Sequence, residues 1–131
     1  MPTRPSRHPT EAELEALTVL WRRGPSTVRQ VHEILQADRK TSLTTTLKTL
    51  QIMTAKGTVI CSDERPHRYT PAKPEEKTQA GLLKDLVRRA FDGSVQKMLI
   101  RAVEAGEMTE QELGEIRKVI DNLRKKKRGA T

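Results

Sequence analysis

Aromatic side chains are nearly missing from this chain of 131 residues: Trp21, Tyr69 and Phe91 make up 2% of it. A core must then be assembled from Leu, Val, Ile, Met and Ala, which favours helices and argues against an all-β sandwich. Cysteine occurs once, as Cys61. That excludes an internal disulfide framework and fits a reducing compartment. No apolar run is long enough to span a bilayer, and signal-peptide and lipidation patterns are absent, so a cytoplasmic protein with no membrane partner is expected. Chemistry-bearing residues are also few. The three histidines (His8, His32 and His67) show no catalytic spacing with the carboxylates, and His67 with Cys61 across a hairpin would supply at most part of a metal site. The sequence therefore predicts no enzyme, no metal and no cofactor.

What the chain does hold is charge, mostly of one sign. It carries 25 Lys and Arg against 17 Asp and Glu, a net +8. Residues 1–73 contribute +5 and residues 74–131 contribute +3, the latter surplus coming from one terminal run, Arg124-Lys125-Lys126-Lys127-Arg128. Such a balance fits a polyanionic partner. The length suits one ordinary domain, or a small domain with a helical appendage.

Residues 1–9 contain three prolines, Arg4, Arg7 and His8 without apolar periodicity, and read as a disordered basic arm. Thr10-Glu11-Ala12-Glu13 fits a capping box, in which the Thr10 side chain bonds the Glu13 amide and Glu13 reaches back. It opens a first helix with Leu14, Leu17, Leu20 and Trp21 on one stripe, stopped by Gly24 and Pro25. Ser26 or Thr27 then caps a short helix with Val28, Val31 and Leu35 inward and Arg29, Gln30, His32 and Glu33 outward.

The stretch Thr41 to Gly57 predicts a third helix, with Thr41 or Ser42 as N-cap, an inward stripe of Leu43, Leu47, Leu50 and Met53, and Lys56 then Gly57 at its end. Its other side carries Thr44, Thr45, Lys48 and Gln51. Threonine is only a moderate helix former, so four of them within six positions (Thr44, Thr45, Thr46 and Thr49) suggest a second use, since threonine bonds phosphates or bases and touches the thymine methyl. Two β-prone runs, Thr58 to Ser62 and Pro66 to Thr70, flank Asp63-Glu64-Arg65 and predict a hairpin. Support helix, polar-faced helix and hairpin in this order make a winged helix-turn-helix domain over residues 10–73. Arg65 and Arg68 near the hairpin tip, and Ser42 at the helix start, join the DNA-contact candidates.

After a hinge bracketed by Pro71 and Pro74 the composition shifts. Leu82, Leu83, Leu86, Val87, Ala90 and Phe91 form one apolar stripe, and Ser94 caps a segment with Val95, Met98, Leu99, Ala102 and Val103. A second capping box, Thr109 to Glu112, precedes Leu113, Ile116, Ile120 and Leu123 at heptad spacing. Three helices with apolar faces and little to enclose between them are better satisfied by a second copy. Residues 74–131 are therefore expected to form a helical dimerisation domain, with Leu82, Leu86, Phe91, Met98, Leu99, Leu113, Ile116, Ile120 and Leu123 at the seam. The predicted fold class is mainly α with a small β-hairpin wing.

In this order the chain resembles the penicillinase-repressor family of bacterial repressors, the BlaI/MecI/CopY group. The segments that carry the resemblance are Thr10 to Glu13 leading to Val19-Leu20-Trp21, Val31 to Leu35, Thr44 to Leu50, Lys56-Gly57, Arg68 to Pro71, and Leu113 to Arg117 after Met108-Thr109. The resemblance implies a homodimer on a palindromic operator in double-stranded DNA, with one recognition helix in each major groove, blocking transcription. It places DNA contacts on Thr44, Thr45, Lys48 and the position of Ile52, where members commonly carry a basic residue. It turns Leu47 outward, whereas the apolar periodicity turns it inward. In members serving antibiotic resistance a membrane sensor triggers proteolysis of the repressor, which makes a sensor protease an implied partner. The matching bond here lies between Arg101 and Ala102, in place of the asparagine and phenylalanine of the methicillin-resistance repressor. Copper-responsive members carry paired cysteines near the C-terminus, and this chain ends in lysines and arginines instead. The competing reading is a winged-helix adaptor that binds proteins rather than DNA, for which an acidic or apolar face on the third helix would have been the sign.

Overall fold

A computed structural model describes residues 8–37 and 40–129. The expected basic arm therefore lies, up to residue 7, outside the described residues, as do Asp38 and Arg39. Among the described residues the order is α1 (Glu11–Arg23), α2 (Val28–Leu35), α3 (Leu43–Lys56), β1 (Val59–Cys61), β2 (Tyr69–Pro71), α4 (Glu75–Ala90), α5 (Val95–Ala105) and α6 (Glu110–Gly129). The chain divides into two compact units, the first ending at Asp85 and the second beginning at Leu86, inside α4.

The core of the first unit joins α1, α2, α3 and the hairpin through Ala16, Leu17, Val19, Leu20, Val31, Leu50, Met53, Val59 and Tyr69. Burying one such Leu, Val or Met contributes about 1.5–3 kcal/mol, and aliphatic packing replaces the missing aromatics. Trp21, half-buried, packs on the rim of this core and donates its Nε1 hydrogen to the Lys73 carbonyl at 3.1 Å. That bond ties the end of α1 to the hinge that follows the hairpin.

The helix ends follow local chemistry. Gly24, at φ 91°, and Gly57, in the left-handed region at φ 80° and ψ 14°, close α1 and α3 in conformations that side chains with a Cβ rarely adopt. Thr27, rather than Ser26, caps α2, in a full box with Gln30. Ser26 is fully buried and exchanges backbone bonds with Tyr69 at 3.2 and 2.8 Å, an isolated antiparallel bridge that pairs the segment before α2 with the second strand of the hairpin. The hairpin pairs Val59 with Pro71, Ile60 with Thr70 and Cys61 with Tyr69. Its strands are shorter than the β-prone runs suggested and the second starts later, because His67 Nδ1 and the Arg68 amide bond Ser62 at 2.7 and 2.9 Å and hold residues 62–68 as a loop. Burial pushes the Tyr69 phenol up, and neighbouring Cys61 adds to the shift.

Two further expectations are corrected. Glu13 does take part in the cap of α1, its amide donating to Thr10 Oγ1 at 3.2 Å, but its carboxylate, on a residue only 4% exposed, accepts from the Thr10 hydroxyl at 3.0 Å and from Lys56 Nζ at 3.1 and 3.0 Å through its two oxygens. The first turn of α1 is thereby tied to the last turn of α3. His32, expected outside, is half-buried, its Nδ1 lying 3.0 Å from Oγ1 of Thr46. Thr46 is 3% exposed, so the α2–α3 contact is polar at its centre.

Lys56→Met strands the Glu13 carboxylate and is expected to cost about 3 kcal/mol of unfolding free energy in urea. Adding Glu13→Gln to it should restore part of the loss, and a doubly changed protein less stable than Lys56→Met would contradict the pairing. Thr46→Val, which leaves His32 without its partner, is expected to cost about 1–2 kcal/mol in the same measurement, with Thr44→Ala near zero.

Candidate nucleic-acid interface

The exposed side of α3 is the candidate surface. Ser42, not Thr41, caps the helix: its Oγ accepts the Thr45 amide at 3.1 Å and pairs with the Thr45 hydroxyl at 2.8 Å. With the start fixed, the helical period turns Thr46, Leu50 and Met53 into the core and leaves Thr44, Thr45, Lys48, Gln51, Ile52 and Ala55 outside. The outward set spans about three turns and mixes hydroxyls, an amide, a cation and an isoleucine that is 43% exposed. Leu47 is half-buried at the border between the two sides. No carboxylate occurs in the sequence between Asp38 and Asp63, so no acid of α3 would repel a phosphate.

The threonine cluster separates into distinct uses. Thr46 belongs to the core contact with His32, and its hydroxyl also lies 3.4 Å from the Ser42 carbonyl. Thr49 is half-buried and donates to the Thr45 carbonyl at 3.0 Å, as Thr54 does to Leu50 at 2.8 Å. Such bonds to the preceding turn satisfy the hydroxyl within the helix. Thr44 and Thr45 remain on the outward face, beside Lys48. Lys56 is committed to Glu13 and stands apart from that face.

On the hairpin, Arg65 and Arg68 are both exposed. The Arg68 backbone is fixed by Ser62, whose amide bonds the Arg68 carbonyl at 2.9 Å, while Arg65 sits in the loop beyond the last rung. His67 Nδ1 donates to the Ser62 carbonyl, placing the ring at the base of the loop. Sequence reasoning found the outward residues of α3 but not the two polar ties behind them; Glu13 four places from Leu17, and His32 one place from Val31, carry no local sign of a partner in α3.

In the second unit, α5 and α6 have no buried residue among those described. Leu99, Leu113, Ile120 and Leu123 are exposed by 37–55%, Met98 and Ile116 are half-buried, and Val95, Ile100, Val103 and Val119 are exposed as well. Of the remaining seam candidates, Leu86 is exposed, Phe91 is half-buried, and Leu82, half-buried, falls in the first unit. The box opening α6 is complete, with Glu112 N on Thr109 Oγ1 at 3.1 Å and Thr109 N on Glu112 Oε1 at 3.2 Å. Arg101 and Ala102 are exposed inside α5, Arg101 Nη1 reaching Glu104 Oε2 at 3.5 Å and the Ala102 carbonyl accepting the Gly106 amide at 2.9 Å. Among the described residues no helix is long and apolar enough to cross a membrane.

Comparison with known proteins bears on the whole arrangement. The family model described as penicillinase repressor matches residues 9–122. The transcriptional regulator BlaI of Mycobacterium tuberculosis is 40% identical over 97 residues, covering 72% of this chain and 70% of the relative. Among solved structures, the monomeric form of Bacillus licheniformis BlaI in complex with the blaP half-operator is 26% identical, with a TM-score of 0.47 over 58% of this chain and 92% of that one. A MarR family protein from Bacillus stearothermophilus is 17% identical, with a TM-score of 0.48 over 89% and 74%. A family model spanning nearly the full sequence, and a regulator this similar over about seven tenths of both chains, agree: the chain belongs to the penicillinase repressor family.

Proposed function

We propose that this protein is a DNA-binding transcriptional repressor of the cytoplasm, acting as a homodimer on a palindromic operator. The observation that carries the reading is the outward face of α3: capped, rigidly backed, free of acids, and lined by Thr44, Thr45, Lys48 and Gln51. A helix of about 10–12 Å diameter fits the major groove. In it, Lys48 neutralises a backbone phosphate, Ser42 and Thr44 near the helix start bond phosphate oxygens, and Gln51 and Thr45 address base edges. Ile52 takes the role of an apolar contact to a thymine methyl, where a basic side chain would have gripped a phosphate. Arg65 and Arg68 extend the contact to phosphates beside the groove.

Each α3 reads only a few base pairs, so two copies on an inverted repeat supply the specificity that one lacks. The unburied apolar stripes of α5 and α6 support that dimer, because exposed leucine, isoleucine and valine on consecutive helices gain from a second copy what a single chain leaves in water. Release on a signal, by a sensor protease cutting at Arg101 and Ala102, would require α5 to unwind locally first, since that bond lies in the helix interior.

Titration of duplex fragments from upstream of the protein's own gene, at several salt concentrations, is expected to reveal one tightly bound inverted repeat. Equal affinity for unrelated duplexes would overturn the repressor reading, and no duplex binding would favour the protein-binding adaptor. Lys48→Ala is expected to lower the salt slope by about 1 and to weaken operator binding much more than Lys56→Ala, compared at a temperature where both variants are folded. Light scattering at micromolar concentration should give twice the chain mass of 14.8 kDa. A mass of one chain would contradict the dimer.

A further inference from the structure

The densest run of positive charge in this protein belongs to a different part of the chain from the proposed recognition face. Residues 117–128 hold Arg117, Lys118, Arg124, Lys125, Lys126, Lys127 and Arg128 against Asp121 alone, a net +6 out of the chain's +8. The preceding residues, 74–116, are net −3. The cations are not on a loose tail: α6 runs to Gly129, and every residue from Arg117 to Arg128 is exposed.

We propose that the C-terminal half of α6 is a second nucleic-acid surface, which grips the phosphates of duplex DNA without regard to sequence. The inference extends the DNA-binding reading above but rests on a different part of the chain. Three features of α6 support it. First, by helical period Arg117, Lys118, Arg124, Lys125 and Arg128 share one side, roughly opposite the apolar stripe of Leu113, Ile116, Val119, Ile120 and Leu123. Covering the stripe with a second copy would therefore leave these five cations in water, while Lys127 continues the line of the stripe and Lys126 its edge.

Second, the usual source of neutralisation within a helix is missing for the terminal lysines. Lys126 has Asn122 and Leu123 at the facing positions four and three residues back, and Lys127 has Leu123 and Arg124. Asp121, which also faces Arg117 and Lys118, reaches only Arg124 and Lys125 of the terminal run. Cations at a helix C-terminus are favoured by the helix dipole, which accounts for one or two of them. Lys125, Lys126 and Lys127 in succession repel one another and favour an external anion.

Third, the charge density matches. Residues 124–128 advance about 6 Å along the helix axis, and B-DNA presents a phosphate about every 1.7 Å of its own axis. An anionic membrane is the other polyanion such a helix could meet. A helix lying in a bilayer surface needs apolar residues interleaved with its cations, and the last apolar side chain of α6 is Leu123, before the run begins. The cationic segment has nothing to insert, so the observations favour DNA. Its role is to raise affinity for any duplex, holding the protein on DNA while α3 searches for its site.

The test compares the full-length protein with a variant in which Arg124, Lys125, Lys126, Lys127 and Arg128 are all changed to Gln, a good helix former. The control carries Lys77→Gln, Lys84→Gln and Lys97→Gln, which remove three exposed charges elsewhere. Fluorescence anisotropy on a scrambled duplex and on an operator duplex is recorded between 50 and 200 mM salt, with vesicles containing one-third anionic lipid in parallel. Removing one cation from a phosphate lowers the slope of log affinity against log salt by about 0.9, so three such cations are worth about 40-fold over that range. The five-glutamine variant is expected to lose about 3 to 4 units of slope equally on both duplexes, with the control unchanged and no protein bound to vesicles.

An unchanged slope in the five-glutamine variant overturns the proposal, as does an equal loss in the control, which would reduce the effect to net charge. Vesicle binding that falls with the five substitutions would assign the surface to membranes instead. If the variant's mass by light scattering falls, and Leu123→Ala reproduces the slope change, the effect belongs to assembly and the proposal is wrong. A wild-type protein that binds scrambled and operator duplexes alike, yet loses slope with the five substitutions, would refute sequence-specific repression while leaving the second surface standing.

Discussion

The pairing of Glu13 with Lys56 is the interaction on which the first unit depends. Both carboxylate oxygens meet one ammonium across a sequence separation of 43 residues, and the carboxylate is almost wholly out of water. A charge so placed is costly unless its partner stays within about 3 Å, so the start of α1 and the end of α3 cannot drift apart. Thr10 adds its hydroxyl to the same carboxylate, linking the cap of α1 to the lock. Around it, the His32 to Thr46 contact fixes the other end of α3 against α2, and the Ser26 to Tyr69 bridge fixes the hairpin against the segment between α1 and α2. The rotation of α3 about its own axis is set by these ties together with Leu50 and Met53.

The economy of α3 lies in what that rotation leaves over. Its threonines could have competed with the fold, since a hydroxyl in a helix seeks a partner. Thr46 is absorbed by His32, Thr49 and Thr54 bond the preceding turn, and Thr44 and Thr45, the latter also joining the cap, end on the side that the core does not use. Placing the ion pair at Lys56 rather than Lys48 keeps the middle of the helix free of structural duty. The cation proposed to meet phosphate and the cation that stabilises the fold are thus two residues, two turns apart on α3.

The second unit follows another logic. Its helices are well capped and amphipathic, yet none of the described side chains of α5 or α6 is buried, so their apolar stripes are held in place by capping and propensity and remain to be covered. Charge is sorted along the same stretch, acidic before Arg117 and strongly basic after it. An apolar seam on one side and a cationic end on another allow one helix to serve assembly and polyanion binding at once.

How much of this could be read directly from the sequence depends on the range over which each cause acts. Helix limits followed from Thr10, Gly24, Ser94, Thr109 and the apolar periods, because caps and periodicity act within a turn or two; the mainly helical class followed from the scarcity of aromatics; and the outward residues Thr44, Thr45, Lys48 and Gln51 followed from counting around α3. The limits of the hairpin did not, because Ser62 bonds His67 and Arg68 across the loop and shortens strands that propensity alone would extend. Nor did the inward turn of His32 and Thr46, the burial of Glu13, or the intermediate position of Leu47. Each of these is decided by a partner on another helix, and a sequence states which residues are near along the chain, not which become near when three helices share one core.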